Sequence, residues 1–500
     1  MYRYKYKYRY KYKGVNKMTI YNPQVSKCFD TMNKTIKGRL ESHCQHTGVR
    51  WMFTRELAPD VKGGILADDM GLGKTMQTIG VICGNPLPKT LIVTTVGTIG
   101  QWRDALITFG GLFPIIVTSS YMGLIPDDAK VVVTAYSTFQ KPKIGHIGSI
   151  KWSRIVLDEG HTIRNHKTRV YKQLSQLSSD IKWILTGTPI QNSIKELRTL
   201  FSWIGIQHEI NENSKNMYTL RRTQQEEAKQ NPRLALPGVQ TTIVKLQLNP
   251  TERELYNRVL SNGTEDHLET LMRCRQVCSS AHVYHEGIER KRQKVSDDVM
   301  CDTPKKREFY KSTNTSDDTV STKIDYLCND LQKVKTGIKS LVFCALTTEM
   351  KLIQKHLLKL NVNCLIYDGS LSRDQKDNVL YNFKHSNIPV LILQINCGNT
   401  GLNLQHAQRV YIVSPHWNPC VELQAIGRAY RKGQLSIVHV IRLVMSDTIE
   451  EKCLDIQNRK LELIADQLDD DSFIDRLGKC ELDTSELREL VLSDTTFRPE

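Results

Sequence analysis

No apolar run in this sequence approaches the ~20 residues that a membrane-spanning helix needs, so no membrane partner is expected. Nor does an apolar segment follow the basic start MYRYKYKYRYKYKG, which argues against a secretory leader and for an intracellular chain. Cysteine is not scarce, but its thirteen residues are scattered and form no CxxC pair. That distribution argues against a disulfide framework and predicts reduced, mostly buried thiols. Cys274, Cys278, His282 and His285 follow one another at near-helical spacing. A tetrahedral zinc site draws its ligands from separated elements, so no zinc is expected there.

What the sequence has in excess is positive charge. Sixty-nine Lys and Arg against fifty-three Asp and Glu leave a formal net charge of +16, a balance that suits a polyanionic partner. Six of these charges, Arg3, Lys5, Lys7, Arg9, Lys11 and Lys13, alternate with tyrosine in the first thirteen residues. Residues 1–17 are set aside as a basic low-complexity arm, either a phosphate-binding segment or a tail upstream of a start at Met18.

Short Val/Ile/Leu-rich runs recur between helical patterns. They fall at 91–94, 131–135, 154–158 and 183–186, and again at 340–344, 364–367, 390–394, 409–413 and 438–443. Near-continuous apolar strands alternating with helices predict parallel sheets covered on both faces. Two such sets predict an α/β chain of two lobes, at 18–210 and 323–470. Residues 211–285 between them are expected to be a helical inter-lobe region, with an apolar stripe at Leu255, Val259 and Leu260. Residues 286–322 read as a flexible polar insertion and 471–500 as an acidic tail.

Chemistry enters at Asp68-Asp69-Met70-Gly71-Leu72-Gly73-Lys74-Thr75. Gly71 and Gly73 allow a tight loop whose N–H groups meet phosphate oxygens, and the helix-forming run that follows puts a positive helix end against the anion. Lys74 is the candidate for the β/γ-phosphates and Thr75 for a Mg²⁺ ligand. Asp68 replaces the usual first glycine of such a loop. At the end of a buried strand, Asp158 and Glu159 are candidates to hold the Mg²⁺ shell and to activate water. In the second half, Gln424-Ala-Ile-Gly-Arg428-Ala-Tyr-Arg431 offers two arginines three apart on a helical pattern. Alone they would be a solvated face; beside a phosphate loop, their rigid forks of donors suit a phosphoryl group in transit.

The blocks ADDMGLGKTMQTI, LDEGH, LTGTPIQN and IGRAYRKGQ, in this order, resemble those of the Swi/Snf-type ATPases of helicase superfamily two. LESHCQHTGVRWM, LRRT, LMRCRQVC, YDGS, GLNL and HWNP extend the match from about residue 40 to 465. The resemblance implies two RecA-like lobes and an ATPase that uses ATP and Mg²⁺ to track along double-stranded DNA. Gln45 then resembles the glutamine that reads adenine, and Lys74, Thr75, Asp158, Glu159, Arg428 and Arg431 take the roles just given. The whole 68–75 loop is expected to touch nucleotide, and Thr186, Gly187, Thr188 and Gln424 to couple hydrolysis to lobe movement. Gly160 stands where this family commonly has alanine, Lys376 where arginine is common and Asn399 where glycine is usual. These departures bear on efficiency more than on chemistry. No bromodomain-like, RING or other reader module accompanies the motor.

The core-only layout is similar to that of the global transactivators of insect large DNA viruses. That similarity implies transcription regulation, or remodelling of DNA–protein complexes, in the host nucleus, with transcription machinery or histones as partners. Two other readings stay open at this stage: a strand-separating helicase in DNA repair, and a catalytically weak DNA-binding scaffold.

Overall fold

The computed structural model describes residues 22–118, 123–142, 144–191, 194–207, 210–232, 235–261, 267–296, 321–396, 401–468 and Leu477. The arm at 1–17, most of the polar insertion, Asn399 and nearly all of the 471–500 tail lie outside the described residues. The chain divides into two compact units at Leu236/Pro237.

The first unit is built on seven parallel strands: β1 (Gly63–Leu66), β2 (Thr90–Thr94), β3 (Ile115–Val117), β4 (Val131–Ala135), β5 (Trp152–Asp158), β6 (Ser179–Leu185) and β7 (Thr219–Leu220). Their order is β3-β4-β2-β5-β6-β1-β7. The pleat sends alternate residues to opposite faces. Leu66, Ile92, Val131, Val133, Val156, Ile181, Trp183 and Leu185 share a core with Val25, Phe29, Met32, Val49, Phe53, Ile79, Trp102 and Leu106 of four helices. Residues of opposite parity, such as Ile65, Val132, Ile155 and Ile184, are buried as well. Burial on both faces is why these strands read as apolar runs rather than alternating ones. One polar tie crosses this core. Arg154 of β5 pairs with Glu56 at 2.6 Å with neither side chain exposed. Glu56 also accepts from Trp183 Nε1 (2.9 Å) and Asn85 Nδ2 (2.7 Å), so the buried pair is hydrogen-bonded as such pairs must be.

The second unit carries six parallel strands: β8 (Val239–Leu246), β9 (Ser340–Cys344), β10 (Cys364–Tyr367), β11 (Val390–Gln394), β12 (Arg409–Ile412) and β13 (Val438–Met445). They are ordered β10-β11-β9-β12-β13-β8. All nine runs singled out in the sequence are strands. The expected helical region at 211–285 needs correcting. Residues 219–220 form β7 of the first sheet, and 239–246 form β8, paired with all eight residues of β13. The chain divides inside that region instead of leaving it as a separate body. Helices Pro250–Ser261, His267–Ser279 and Ala281–Ser296 do follow. They close a satellite core of Tyr256, Val259, Cys274, Val277, Cys278 and Ile288 against Met445 and Ile449. Cys274 and Cys278 are therefore core thiols, and burial pushes Cys274 up to about 11. No metal-binding group of His, Cys, Asp and Glu exists among the described residues.

Candidate nucleotide site

In a parallel sheet all C-terminal strand ends lie along one edge, and ligands collect there. At that edge of the first unit, β1 runs into residues 67–73 and then into the helix Lys74–Gly84. Two left-handed glycines turn the loop, Gly71 at φ 89° and Gly73 at φ 81°. Gly73 is also required by space, because a Cβ there would collide with Nε2 of Gln45. Gln45 is thus laid against the loop, with its carbonyl oxygen accepting from Glu41 N–H at 2.8 Å. No side chain caps the helix that begins at Lys74, so its first N–H groups are left to a ligand. Thr75 stands in that first turn.

Lys74 Nζ donates to the carbonyls of Asp68 (2.7 Å) and Asp69 (3.2 Å). Burial lowers its pKa, against the pull of Glu159, Asp68, Asp69 and Asp158. Asp158, at the end of β5, accepts on Oδ2 from Thr94 Oγ1 and Trp102 Nε1, both at 2.8 Å, while its backbone carbonyl accepts from Tyr136 OH at 2.8 Å. Burial foremost, and then Glu159, raise its pKa; the two hydrogen bonds and Lys74 oppose the rise. Glu159 follows in the left-handed region at φ 51°, a strained conformation for a side-chain-bearing residue. Its Oε2 lies 3.4 Å from His161 Nδ1, and that nitrogen is 3.2 Å from Thr186 Oγ1. Thr186 Oγ1 in turn accepts from Thr188 N–H (3.2 Å), and Thr188 Oγ1 from Gln191 Nε2 (3.2 Å). Residues 158–161 and 186–191 therefore form one bonded chain. Gly160 belongs to it for reasons of space: a Cβ there would come 2.5 Å from Ile184 Cγ2.

These groups fit a nucleoside triphosphate with magnesium. An open helix end and a buried ammonium face the place for phosphates, with one carboxylate and one hydroxyl nearby. Magnesium is commonly held by one or two protein oxygens plus substrate phosphates, not by a protein cage. The Asp68 and Asp69 side chains serve a different purpose. Asp68 is fully buried and gripped by Arg222, whose Nε reaches Oδ1 at 2.8 Å and whose Nη2 meets Oδ2, and by Gln77 Nε2 at 3.0 Å. Asp69 accepts from Arg221 Nη2 (3.3 Å) and Gln224 N–H (3.3 Å). What these two residues offer a ligand is backbone. The arginines of LRRT were quoted in the sequence without a role, and Thr94, Trp102 and Tyr136 had no local signal at all.

Gln424 and Arg428 lie on the second unit's helix Pro419–Ala429, capped by Asn418. Arg431 does not continue their helical face. Tyr430 breaks the helix at ψ 82°, and Gly433 at φ 97° turns the chain, so Arg431 stands on the turn beyond the helix. It donates to Leu402 O at 3.3 Å, and burial lowers its pKa with no carboxylate beside it among the described residues.

Two family models match this chain: the SNF2-related domain over residues 44–214 and the helicase conserved C-terminal domain over 322–433, together more than half of it. A probable global transactivator of Orgyia pseudotsugata multicapsid polyhedrosis virus is 27% identical over 84% of this chain and 90% of its own length. The transcription regulatory protein SNF2 of Saccharomyces cerevisiae is 27% identical over 86% of this chain, but the match spans 28% of that protein. The DNA repair protein RAD5B of Arabidopsis thaliana gives 26% over 82%, spanning 46% of its length. Among solved structures, the Sulfolobus solfataricus SWI2/SNF2 ATPase core in complex with dsDNA is 25% identical over 91% of this chain and 97% of its own, with a TM-score of 0.38. The chain belongs to the SNF2-related helicase family and is an ATP hydrolase of that family. No helix among the described residues is long and apolar enough to cross a membrane.

Proposed function

We propose that this ATPase uses hydrolysis to move along double-stranded DNA, and that it does so in regulating transcription, or remodelling DNA–protein complexes, of a large DNA virus. The observation that carries the hydrolytic half is the juxtaposition at one sheet edge of the uncapped Lys74–Gly84 helix, the Lys74 ammonium and the Asp158–Glu159 carboxylates. Lys74 and the loop N–H groups take the phosphates, Gln45 takes the adenine, and Thr75 and Asp158 would hold magnesium. The metal supplies charge neutralisation on the phosphate oxygens when bound. Glu159 orients the attacking water and accepts its proton as the bond between the γ-phosphorus and the bridging oxygen breaks, leaving ADP and phosphate. Arg428 and Arg431 act on the γ-phosphoryl charge, and Gln424, Thr186, Gly187 and Thr188 relay the change to the motor.

For DNA, support comes from the +16 charge and from a cavity of about 510 Å³ in the second unit, lined by Arg273, Arg290 and Lys291. It also takes in Leu346, Thr347 and Thr348 at the start of the helix Thr347–Lys359, which has no side-chain cap. Arg273 Nε is buried there without an acceptor. Glu269 pairs there with Arg273 and Lys291, and Glu286 with Arg290, so a DNA backbone phosphate would compete with these carboxylates for the cations. For the viral setting, support is the likeness to the global transactivator across 90% of that protein. Host-nuclear location follows from that setting.

Triplex displacement run beside strand displacement tests the motor. ATP-dependent triplex displacement without duplex unwinding is expected. Efficient unwinding alone would make it a strand-separating helicase, and ATP-independent DNA binding alone a scaffold. Co-purification with polymerase, and not with repair factors, is expected if transcription is the process.

A further inference from the structure

The LRRT block begins at the last residue of β7, next to β1, and its first arginine reaches two loops at once. Arg221 Nη1 donates to the carbonyl of Ala67 (2.8 Å), where the phosphate loop starts, and to the carbonyl of Gly187 (3.2 Å), at the centre of the 186–188 turn. Its Nη2 donates to Asp69 Oδ1 at 3.3 Å. The two loops touch directly at the same place. A Cβ on Gly187 would lie 3.2 Å from Met70 Cγ and 3.7 Å from Asp68 O. Backbone bonds extend the β1–β7 pairing into the loop, from Ala67 N–H to Leu220 O (2.7 Å) and from Asp69 N–H to Arg222 O (2.9 Å). Gln224 Nε2 adds a bond to Met70 O at 2.5 Å. Arg221 reaches the 186–188 turn from this block, beside a backbone bond from Thr186 N–H to Leu66 O at 3.1 Å; Arg222 and Gln224 bond the phosphate loop.

We propose that Arg221 is a positioning residue that clasps the phosphate loop to the Thr186–Thr188 turn, so that displacement of the loop on nucleotide binding or phosphate release moves the turn with it. A guanidinium suits the task because its fixed fork holds several acceptors at set angles, which a single rotating ammonium does not. Gly187 suits it because no side chain separates the turn from the loop. The clasp rests on the reading of 186–188 as the coupling segment, and it adds to that reading the element that pulls on it. His161 meets Thr186 Oγ1, so the turn transmits to the strand end that carries Asp158 and Glu159.

The test is steady-state ATP turnover of the full chain with saturating duplex DNA, measured as kcat and KM separately for wild type, Arg221→Met and Arg221→Lys. Arg221→Met is expected to lower kcat about tenfold while KM for ATP stays within about threefold. Arg221→Lys, able to hold one carbonyl but not bridge two, is expected to recover kcat only in part, to about a third of wild type. Wild-type kcat in Arg221→Met would overturn the clasp, and so would a KM that rises in step with the fall in kcat, since that marks a distorted phosphate loop. If Arg221→Met does not fold, Arg221→Lys decides: a reduced kcat at unchanged KM supports the clasp, and wild-type kcat refutes it. Wild-type protein that fails to respond to duplex sinks the coupling reading and the clasp together. A responsive wild type whose variants respond equally sinks the clasp alone.

Discussion

Arg221 and Arg222 in the first unit and Arg428 and Arg431 in the second are both arginine pairs at the end of a short motif, but the protein treats them differently. Arg222 is saturated. It holds Asp68 with two nitrogens and reaches Cys44 O, Thr47 Oγ1 (2.7 Å) and Gln77 Oε1 (3.0 Å). Arg431 has a single long bond to a carbonyl and no carboxylate among the described residues. Arginines committed to internal acceptors build the shape of a site. An arginine buried without a counter-charge is held ready for an anion that arrives later.

The largest expected effect breaks the comparison from the Arg431 side. Arg431→Ala should lower ATP turnover by about 10³-fold, the low end of what a phosphoryl-stabilising arginine supplies, and leave thermal stability almost unchanged because only one long bond to a carbonyl is lost. Turnover assays beside calorimetry check both halves. Arg222→Met should do the reverse. It leaves the Asp68 carboxylate buried and unpaired, at a cost of about 3–5 kcal/mol, which for a unit of this size lowers the melting temperature by roughly 10 °C. An Arg222→Met protein as stable as wild type would refute the structural role of this ion pair.

A smaller effect concerns the chain of bonds between the two loops. Burial lowers the His161 pKa to about 4, below the ~6.5 of an unfolded histidine. The unfolded state therefore binds the proton first. Stability falls as pH drops through the window from ~6.5 to about 4, by an amount on the order of 3 kcal/mol in all. His161→Asn should remove that acid slope in denaturant titrations run at several pH values. Asp158 has the opposite dependence. Its raised pKa means the folded state holds the proton longer, so ionising it costs stability as pH rises in the metal-free protein. Trp102→Phe, which removes a donor to the carboxylate, should steepen that loss in denaturant titrations run without magnesium. The smallest effect belongs to the second unit's cavity. Arg290→Ala and Lys291→Ala should each flatten the dependence of log affinity for duplex on log salt by about one.

How much of this was legible in the sequence follows from where each signal resides. The nine apolar runs announced themselves because strands buried on both faces leave no room for polar residues. β1 escaped because Gly63 and Gly64 open it; it is fixed by pairing with Lys182 to Leu185 of β6 and with β7. β8 escaped because it is an edge strand with half its residues polar (Gln240, Thr241, Thr242 and Lys245), and β13 is what makes it a strand. Lys74, Thr75, Asp158 and Glu159 stand out as candidates because phosphate and metal chemistry restrict residue type and spacing within a few positions. The work of Arg221, Arg222, Thr94 and Trp102 was not legible, because their partners are 34 to 178 residues away in sequence. Arg431 reads from the sequence as part of a helical face, whereas the helix ends at Ala429, with the break at Tyr430 and the turn at Gly433 following.

The most direct measurement is ATP hydrolysis by the purified chain, with magnesium, across a titration of duplex DNA, alongside Lys74→Ala. Turnover that climbs with duplex in the wild type and stays at background in the variant is the predicted result. Hydrolysis that ignores duplex, or that survives the loss of the Lys74 ammonium, would contradict the account.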